Sequence, residues 1–456
     1  MKKLSRTISG VTPVAVMTQP APCPGHCVYC PTFGATPISY TPESPAVIRA
    51  RAVGYDVRRQ VEVRLKTLAE MGHPTDKVEM IIMGGTFLAT PEDYQYSVVK
   101  DCYDALNGAV SATLAGAQAM NESAARRCVG LCIETRPDVC GMGEVQRMLD
   151  FGATRVELGV QATDDAIYQK VKRGHTVADV VQATHLLKRY GLKVYYHWMP
   201  GLPGSTPEHD LALAKILFDN PDLRPDGLKL YPTMVVEGSI LEEWYLAGDY
   251  TPYPDQVMLG LMADIKAIVP GYVRIARVLR DIPAQFIVAG LRDSVRDKLQ
   301  SYMSERGQKC NCIRCREYGH RLKAGWQTGE PMLKRLDYIA SGGQEVFLSI
   351  EDAQETLFGL LRLRLETEPP EIFESRPLAL VRELHVFGSE VSLGVRSDGA
   401  AQHRGLGRLL LAEAERVARE EFKSREIAIL SGVGTRQYYE EQGYTLRAGY
   451  MVKGLS

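Results

Sequence analysis

The sequence predicts an α/β chain: a partial (β/α) barrel, then a short cysteine-rich linker, then an independent α+β domain. Three observations carry this. From Val11 to Arg277 short apolar runs alternate with longer amphipathic ones, the pattern of parallel strands joined by crossover helices. Residues 300–335 are rich in Arg, Lys and Cys. Beyond Leu336 strand-like runs dominate until one strong helical pattern appears. With 456 residues there is enough chain for two or three cores, and the expected domains are 1–299, 300–335 and 336–456.

In the barrel the expected strands are 13–17, 78–83, 131–134, 155–160, 194–199, 227–231 and 273–276, with helices fitting at 55–71, 177–190, 207–219 and 255–269. Chemistry in such barrels gathers at the C-terminal ends of strands, and the suggestive residues follow strands one, two and three. In the last domain, strands are expected at 346–350, 356–365, 378–386 and 391–395, then a helix at 406–422, a strand at 427–430, a helix at 435–442 and a last strand near Tyr450.

Hydrophobic residues make up 45% and charged residues 24%, as in ordinary soluble proteins. The sequence has no signal-peptide pattern and no apolar run of membrane-spanning length, so a cytoplasmic location without membrane contact is expected. Six of the ten cysteines fall in two tight clusters, which suits metal binding better than disulfides. A net charge of −1 argues against a uniformly basic nucleic-acid binder. The charge is uneven, however: residues 301–336 carry eight Lys and Arg against three Glu, and 274–298 six against three Asp. Either stretch suits a phosphate backbone or a solvated surface.

Cys23, Cys27 and Cys30 form a CxxxCxxC loop set by prolines and a glycine. Three thiolates hold three irons of a four-iron cluster and leave the fourth open, the arrangement by which radical S-adenosylmethionine (SAM) enzymes bind the amino acid end of SAM; a zinc knuckle is the alternative. Gly84, Gly85 and Thr86 follow a strand and offer bare backbone to a ligand, here the amino group of SAM. Glu134, Arg136 and Asp138 end the third strand and Gln161 the fourth, where SAM's ribose and carboxylate are expected; capping and salt bridging would also account for them. Cys310, Cys312 and Cys315, with His320 five residues on, suit a structural zinc. Gln402, His403, Arg404, Gly405, Leu406 and Gly407 have the QxxGxG form of the GNAT acetyltransferases, in which amides at a helix start cradle the pyrophosphate of coenzyme A. The later run through Gly432, Gly434, Tyr438 and Tyr439 supports that reading. In that superfamily a tyrosine beside the thioester sulfur protonates the leaving thiolate, so Tyr438 and Tyr439 are the catalytic candidates, with core packing as the alternative.

A radical SAM barrel fused to a C-terminal GNAT domain resembles the catalytic subunit of Elongator in its single-chain microbial form. The resemblance covers nearly the whole chain. It rests on Cys-Val-Tyr-Cys-Pro (27–31), Lys-Val-Glu-Met-Ile-Ile-Met-Gly-Gly-Thr-Phe (77–87), Glu-Thr-Arg-Pro-Asp (134–138), Arg-Val-Glu-Leu-Gly-Val-Gln (155–161), Arg173-Gly-His175, Asp-Gly-Leu-Lys-Leu-Tyr-Pro (226–232), the Cys310 cluster with Arg316 and Glu317, and residues 402–450. It implies a [4Fe-4S] cluster, SAM, acetyl-CoA and zinc as cofactors, tRNA presented by its anticodon loop, and an external electron donor. The implied chemistry is radical formation from SAM, hydrogen abstraction from the methyl of acetyl-CoA, addition to carbon-5 of the wobble uracil, and thioester hydrolysis to 5-carboxymethyluridine. A wobble base sits in an unstacked loop, so presenting it costs less than in a duplex. Eukaryotic and many archaeal members have a longer cysteine spacing and a basic N-terminal extension that holds tRNA. This chain has the short spacing and starts 22 residues before Cys23, which shifts the expected RNA contacts to residues 274–336. Two other readings stay open: a protein lysine acetyltransferase with Glu383 or Glu390 as base, and a tRNA-binding scaffold with a vestigial cluster.

Overall fold

A computed structural model describes residues 7–292, 295–388 and 405–455. The seven strands expected in the barrel form as β1 (Thr12–Met17), β2 (Lys77–Met83), β3 (Arg127–Thr135), β4 (Arg155–Gln161), β5 (Lys193–Trp198), β6 (Gly227–Leu230) and β8 (Arg274–Arg277), and two short strands not expected, β7 (Val235–Val236) and β9 (Ile287–Ala289), flank β8 in sequence. One parallel sheet runs β1-β2-β3-β4-β5-β6-β8. Its end strands β1 and β8 do not pair, so the barrel is partial. β7 and β9 make a small antiparallel ribbon.

The crossover helices start where capping side chains satisfy their first amides. Asp56 accepts from Arg59 N (2.9 Å) ahead of Val57–Glu70, Thr176 and Asp179 form a capping box ahead of Val177–Arg189, and Thr206 accepts from His209 N (3.2 Å) ahead of Pro207–Asp219. Strands β2, β4 and β5 alternate between the two faces of the sheet. In β2, Val78, Met80 and Ile82 are buried against helices, whereas Glu79, Ile81 and Met83 face the lumen. In β4 the lumen residues are Arg155, Glu157, Gly159 and Gln161; in β5 they are Lys193, Tyr195 and His197. The barrel interior is therefore polar, and the apolar half of each strand packs outward.

Helices Val295–Glu305, Ile313–Arg316 and Tyr318–Lys323 lead to the second sheet. Its strands are β10 (Met332–Ala340), β11 (Gly343–Glu351), β12 (Leu357–Glu366), β13 (Leu378–Val386), β14 (Glu426–Ile429), β15 (Thr445–Arg447) and β16 (Tyr450–Gly454), in the order β10-β11-β12-β13-β14-β16-β15. β10 begins inside the stretch read as linker, because Met332 to Ala340 pair in continuous register with β11. The strand expected at 391–395 lies outside the described residues. Helix Leu406–Arg416 buries Leu406, Leu410, Leu411 and Ala414 on this sheet against Leu348, Leu361, Val381 and Ile429. β13 and β14 are parallel and pair from Ala379 to Val381; β14 ends at Ile429, whereas β13 runs on to Val386.

Buried ion pairs fasten the second sheet to the barrel. Arg382 on β13 grips Asp226, at the start of β6, through two bonds of 2.9 and 2.6 Å, and Lys188 and Arg362 lie 3.7 and 3.6 Å from the same carboxylate. The loop after β14 approaches β3 so closely that a Cβ on Gly432 would sit 2.2 Å from Val129 O. Gly432 and Gly434, read from the sequence as part of the acetyltransferase motif, thus serve the contact between the two units. No helix of the described residues is long and apolar enough to cross a membrane.

Candidate functional site

One cavity of about 410 Å³ runs along the barrel lumen. Cys23, Cys27 and Cys30 line it at the C-terminal strand ends, and Leu360, Glu383, His385 and Phe387 of the second sheet line it beyond the N-terminal ends of the barrel strands.

At the cysteine end, Cys27 is buried and receives a hydrogen bond from Arg173 Nη1 (3.3 Å), with Arg136 Nη1 at 3.9 Å. A hydrogen bond from Cys30, then the Arg173 charge, outweigh the cost of burial and bring the Cys27 thiol down to about 4. Cys23 Sγ lies 3.4 Å from Thr86 Oγ1. A Cβ on Gly25 would fall 1.9 Å from Arg136 Nη1, so only glycine lets the cysteine loop close over that guanidinium. Arg136 is held by Asp138 (2.9 and 2.8 Å) and by Arg173 O (2.8 Å), which makes it a brace for the loop. Three sulfurs on one cavity wall, one already favoured as thiolate by buried cations, fit an anionic cluster with an open iron.

Of the residues expected to meet SAM, Gly85, Thr86, Glu134, Arg136 and Gln161 line the same cavity. Gly84 (φ +145°) and Gly85 (φ +81°) are in backbone regions that favour glycine, and a Cβ on Gly84 would strike Thr18 Oγ1 at 1.8 Å. Gln161 adopts φ +71°, strained for a residue with a side chain, and its buried Oε1 has no partner. An orphaned amide oxygen on the cavity wall fits a polar ligand. Glu134 accepts from Lys229 Nζ (2.9 Å) and Tyr40 OH (3.1 Å).

Sequence reasoning missed the lumen network below. Lys229 also pairs with Glu157, which His197 Nε2 approaches to 3.2 Å and Arg155 Nε to 3.4 Å; Arg155 pairs with Glu79. Burial would raise Glu157, but Lys229 and then His197 hold it well below the usual carboxylate range. The available signal was charge at alternate positions of strands whose other face is apolar. Arg173 was quoted as a motif residue without a role; its role is at Cys27.

At the other end, Glu383 is held by Lys193 (3.2 Å) and Arg362 Nε (2.8 Å). Their charges outweigh burial and keep it far below the carboxylate range, so it is a fixed anion and a poor base. Glu390, Gln402, His403 and Arg404 lie outside the described residues. Gly405 (φ +74°) opens helix Leu406–Arg416, where Leu406 is a core side chain offering only its backbone, and a Cβ on Gly407 would fall 2.9 Å from Tyr438 OH. Tyr438 is half-buried over that helix start, and burial raises its hydroxyl. Tyr439 is buried in the second core, edge-on to Tyr444 at 6.1 Å. Tyr438 OH thus stands at the start of that helix, whereas Tyr439 is a packing residue of the core.

Cys310, Cys312 and Cys315 bring their sulfurs within 4.8 Å of one another, a donor set that fits a soft cation. His320 falls outside that group: it rides on helix Tyr318–Lys323 beside Glu317, and its Nε2 is buried without a partner. The fourth ligand expected from spacing is thus not brought to the sulfurs, whereas the buried Lys266 ammonium acts on Cys315. The basic stretches do not form a free stripe. Arg274 pairs with Glu317 (2.9 Å), Arg316 with Glu351 (2.5 Å), and Arg321 stacks 4.4 Å from the Trp326 ring; Arg277, Arg306, Lys309, Lys334 and Arg335 are exposed but ion-paired, and Arg292, Lys298 and Lys323 are exposed as well.

Residues 22–217 match the Radical SAM superfamily and 225–305 the Radical SAM C-terminal domain. Over 458 residues the chain is 65% identical to tRNA uridine(34) acetyltransferase of Dehalococcoides mccartyi (strain CBDB1), covering 100% of both chains. It is 42% identical over 468 residues to Elongator complex protein 3 of Homo sapiens, covering 99% of this chain and 85% of that one. The solved structure of archaeal Methanocaldococcus infernus Elp3 with its N-terminus (1–46) deleted is 44% identical, with a TM-score of 0.88 over 98% of this chain and 100% of that one.

Proposed function

The chain belongs to the Elongator complex protein 3 family, and from that premise we propose that it is a radical SAM acyltransferase forming 5-carboxymethyluridine at the wobble uridine of tRNA. The observation that carries this reading is the shared cavity, with three cysteines at one end and residues of β13 at the other. Cys23, Cys27 and Cys30 would hold a [4Fe-4S] cluster, with Gly84, Gly85, Thr86 and Gln161 against SAM; together these supply a carbon-centred radical. The start of helix Leu406–Arg416 would hold the pyrophosphate of acetyl-CoA, and Tyr438 would give a proton to the leaving thiolate. Arg136 and Arg173 keep the cysteine loop in place, and the lumen network pairs its charges with one another. Cys310, Cys312 and Cys315 would hold a structural zinc beneath the second sheet. The site would act in the cytoplasm on the anticodon loop of tRNA, with electrons from an external donor.

Glu383 does not favour the protein lysine acetyltransferase reading, since its carboxylate is already spent on Lys193 and Arg362. The test is anaerobic reconstitution with iron, sulfide, SAM, reductant, acetyl-CoA and unmodified tRNA, read by nucleoside mass spectrometry. The expected result is SAM-dependent 5-carboxymethyluridine, lost in Cys27→Ala while tRNA binding persists. Acetyl-CoA consumption with unchanged uridine in the reconstituted protein would overturn it.

A further inference from the structure

Thioester cleavage requires water delivered to a carbonyl carbon at the point where the acyl group meets the barrel. β14 ends at Ile429, opposite Val381, so among the described residues no strand pairs with that edge of β13 beyond Val381, and His385 lies on this stretch. Its neighbour Val386 points the other way, 3.7 Å from the Cβ position of Gly407 at the coenzyme-binding helix start. Adjacent residues of a strand face opposite sides, so β13 presents Val386 to the coenzyme helix and His385 to the lumen. His385 lines the cavity there, stacked on Phe387 with ring centroids 4.4 Å apart.

The ring is set in one tautomer. Nε2 lies 2.8 Å from the carbonyl oxygen of Ser9, an acceptor only, so Nε2 carries the proton and donates it. In the neutral ring the lone pair is then on Nδ1.

We propose that His385 is the general base that delivers water to the thioester, a role that rests on the reading given under Proposed function. Water oxygen bonds to the thioester carbonyl carbon as one of its protons passes to His385 Nδ1. The carbon–sulfur bond then breaks, and the thiolate takes the Tyr438 hydroxyl proton. The carboxylic acid formed ionises and returns a proton to Tyr438, and the imidazolium releases its proton to solvent. One thioester and one water give one carboxylate, one free thiol and one proton, with no redox partner. Burial lowers the ring's basicity, with Glu383 and Glu317 acting to raise it and Arg274 to lower it, so the imidazole is neutral and able to accept at neutral pH. A surface histidine would lack both the fixed tautomer and access to the lumen.

The experiment compares wild type with His385→Gln and His385→Ala. In reconstituted reactions His385→Gln should lower 5-carboxymethyluridine by about 100-fold, the scale of a lost general base, and accumulate tRNA carrying a coenzyme A thioester, visible as an intact-mass adduct. Acetyl-CoA affinity by calorimetry should stay within about twofold, which separates chemistry from misfolding. Free imidazole should restore turnover in His385→Ala. In wild type, ¹⁵N NMR of the ring should show a protonated Nε2 and a bare Nδ1 at neutral pH. Product at the wild-type rate in His385→Gln, loss of product without the adduct, or a ring protonated at Nδ1 would each overturn the assignment. If wild type forms no modified uridine, the parent reading fails instead. His385 is then judged on cluster-free hydrolysis of acetyl-CoA to acetate and free thiol, where an equal rate in His385→Gln overturns it and a 100-fold loss supports it.

Discussion

Replacing Asp226 by Asn should loosen the joint between the barrel and the second sheet. The Asp226 side chain is fully buried and accepts from Arg382 twice (2.9 and 2.6 Å) and from Val194 N (2.9 Å), with Lys188 and Arg362 beside it. Asn keeps the volume but removes the charge and turns an NH₂ toward guanidinium donors. Removing one partner of a buried pair costs about 3–5 kcal/mol. Lys188 sets where in that range the loss falls. Burial already brings its ammonium down to about 8, opposed by the Asp226 charge, so without that charge Lys188 sheds its proton at neutral pH and relieves part of the imbalance. The expected loss is therefore about 3 kcal/mol, smaller at pH 9 than at pH 6, and Lys188→Met should recover part of it. The wild type should show the opposite pH signature. Burial is outweighed by Arg382 and Lys188, so the Asp226 carboxyl lies below its unfolded value of about 4. That stability is present above about pH 4 and disappears as the pH falls toward the folded value. The assay is urea unfolding followed by the tryptophans, two of which, Trp198 and Trp244, report on the barrel, together with far-ultraviolet circular dichroism for the whole chain. A loss below about 1 kcal/mol, or one independent of Lys188, would refute the charge argument.

Gly432→Ala should destabilise the protein by about 3 kcal/mol, the upper range for overpacking, because the clashing atom is the Val129 carbonyl and cannot rotate away; a thermal midpoint equal to wild type would contradict this. Gln161→Ala should weaken SAM binding about tenfold, the worth of one hydrogen bond to a buried acceptor, as measured by equilibrium dialysis on reconstituted protein. Cys312→Ser should abolish bound zinc by elemental analysis, whereas His320→Ala should retain it, since its ring lies outside the sulfur group.

The barrel strands were legible because each keeps an apolar alternation bounded by turn residues, as in 77–83 and 155–161, and caps such as Thr176 and Thr206 mark the helix starts. The cysteine loop and the glycines after β2 were legible for the same reason: local spacing and left-handed backbone are properties of a few adjacent residues. Non-adjacent partners were not legible. Arg173 reaches Cys27 across 146 positions, and Lys229 joins Glu134 across 95. Gly432 read as a coenzyme-loop glycine because a glycine required by another segment's carbonyl looks the same in sequence. His320 illustrates the converse: its spacing suits zinc, but its ring lies outside the group of three sulfurs.

By itself, then, the sequence determined the order of elements, the cysteine triads and the two-domain chemistry, all set by short-range periodicity and motif spacing. The tertiary structure decided which charges meet in the lumen, that β13 lines the cavity opposite the cysteines, and that of its two lumen residues Glu383 is held in ion pairs while His385 bonds to a backbone carbonyl. These depend on long-range register and burial: a side chain's partners and protonation follow from what the fold brings within a few ångströms of it.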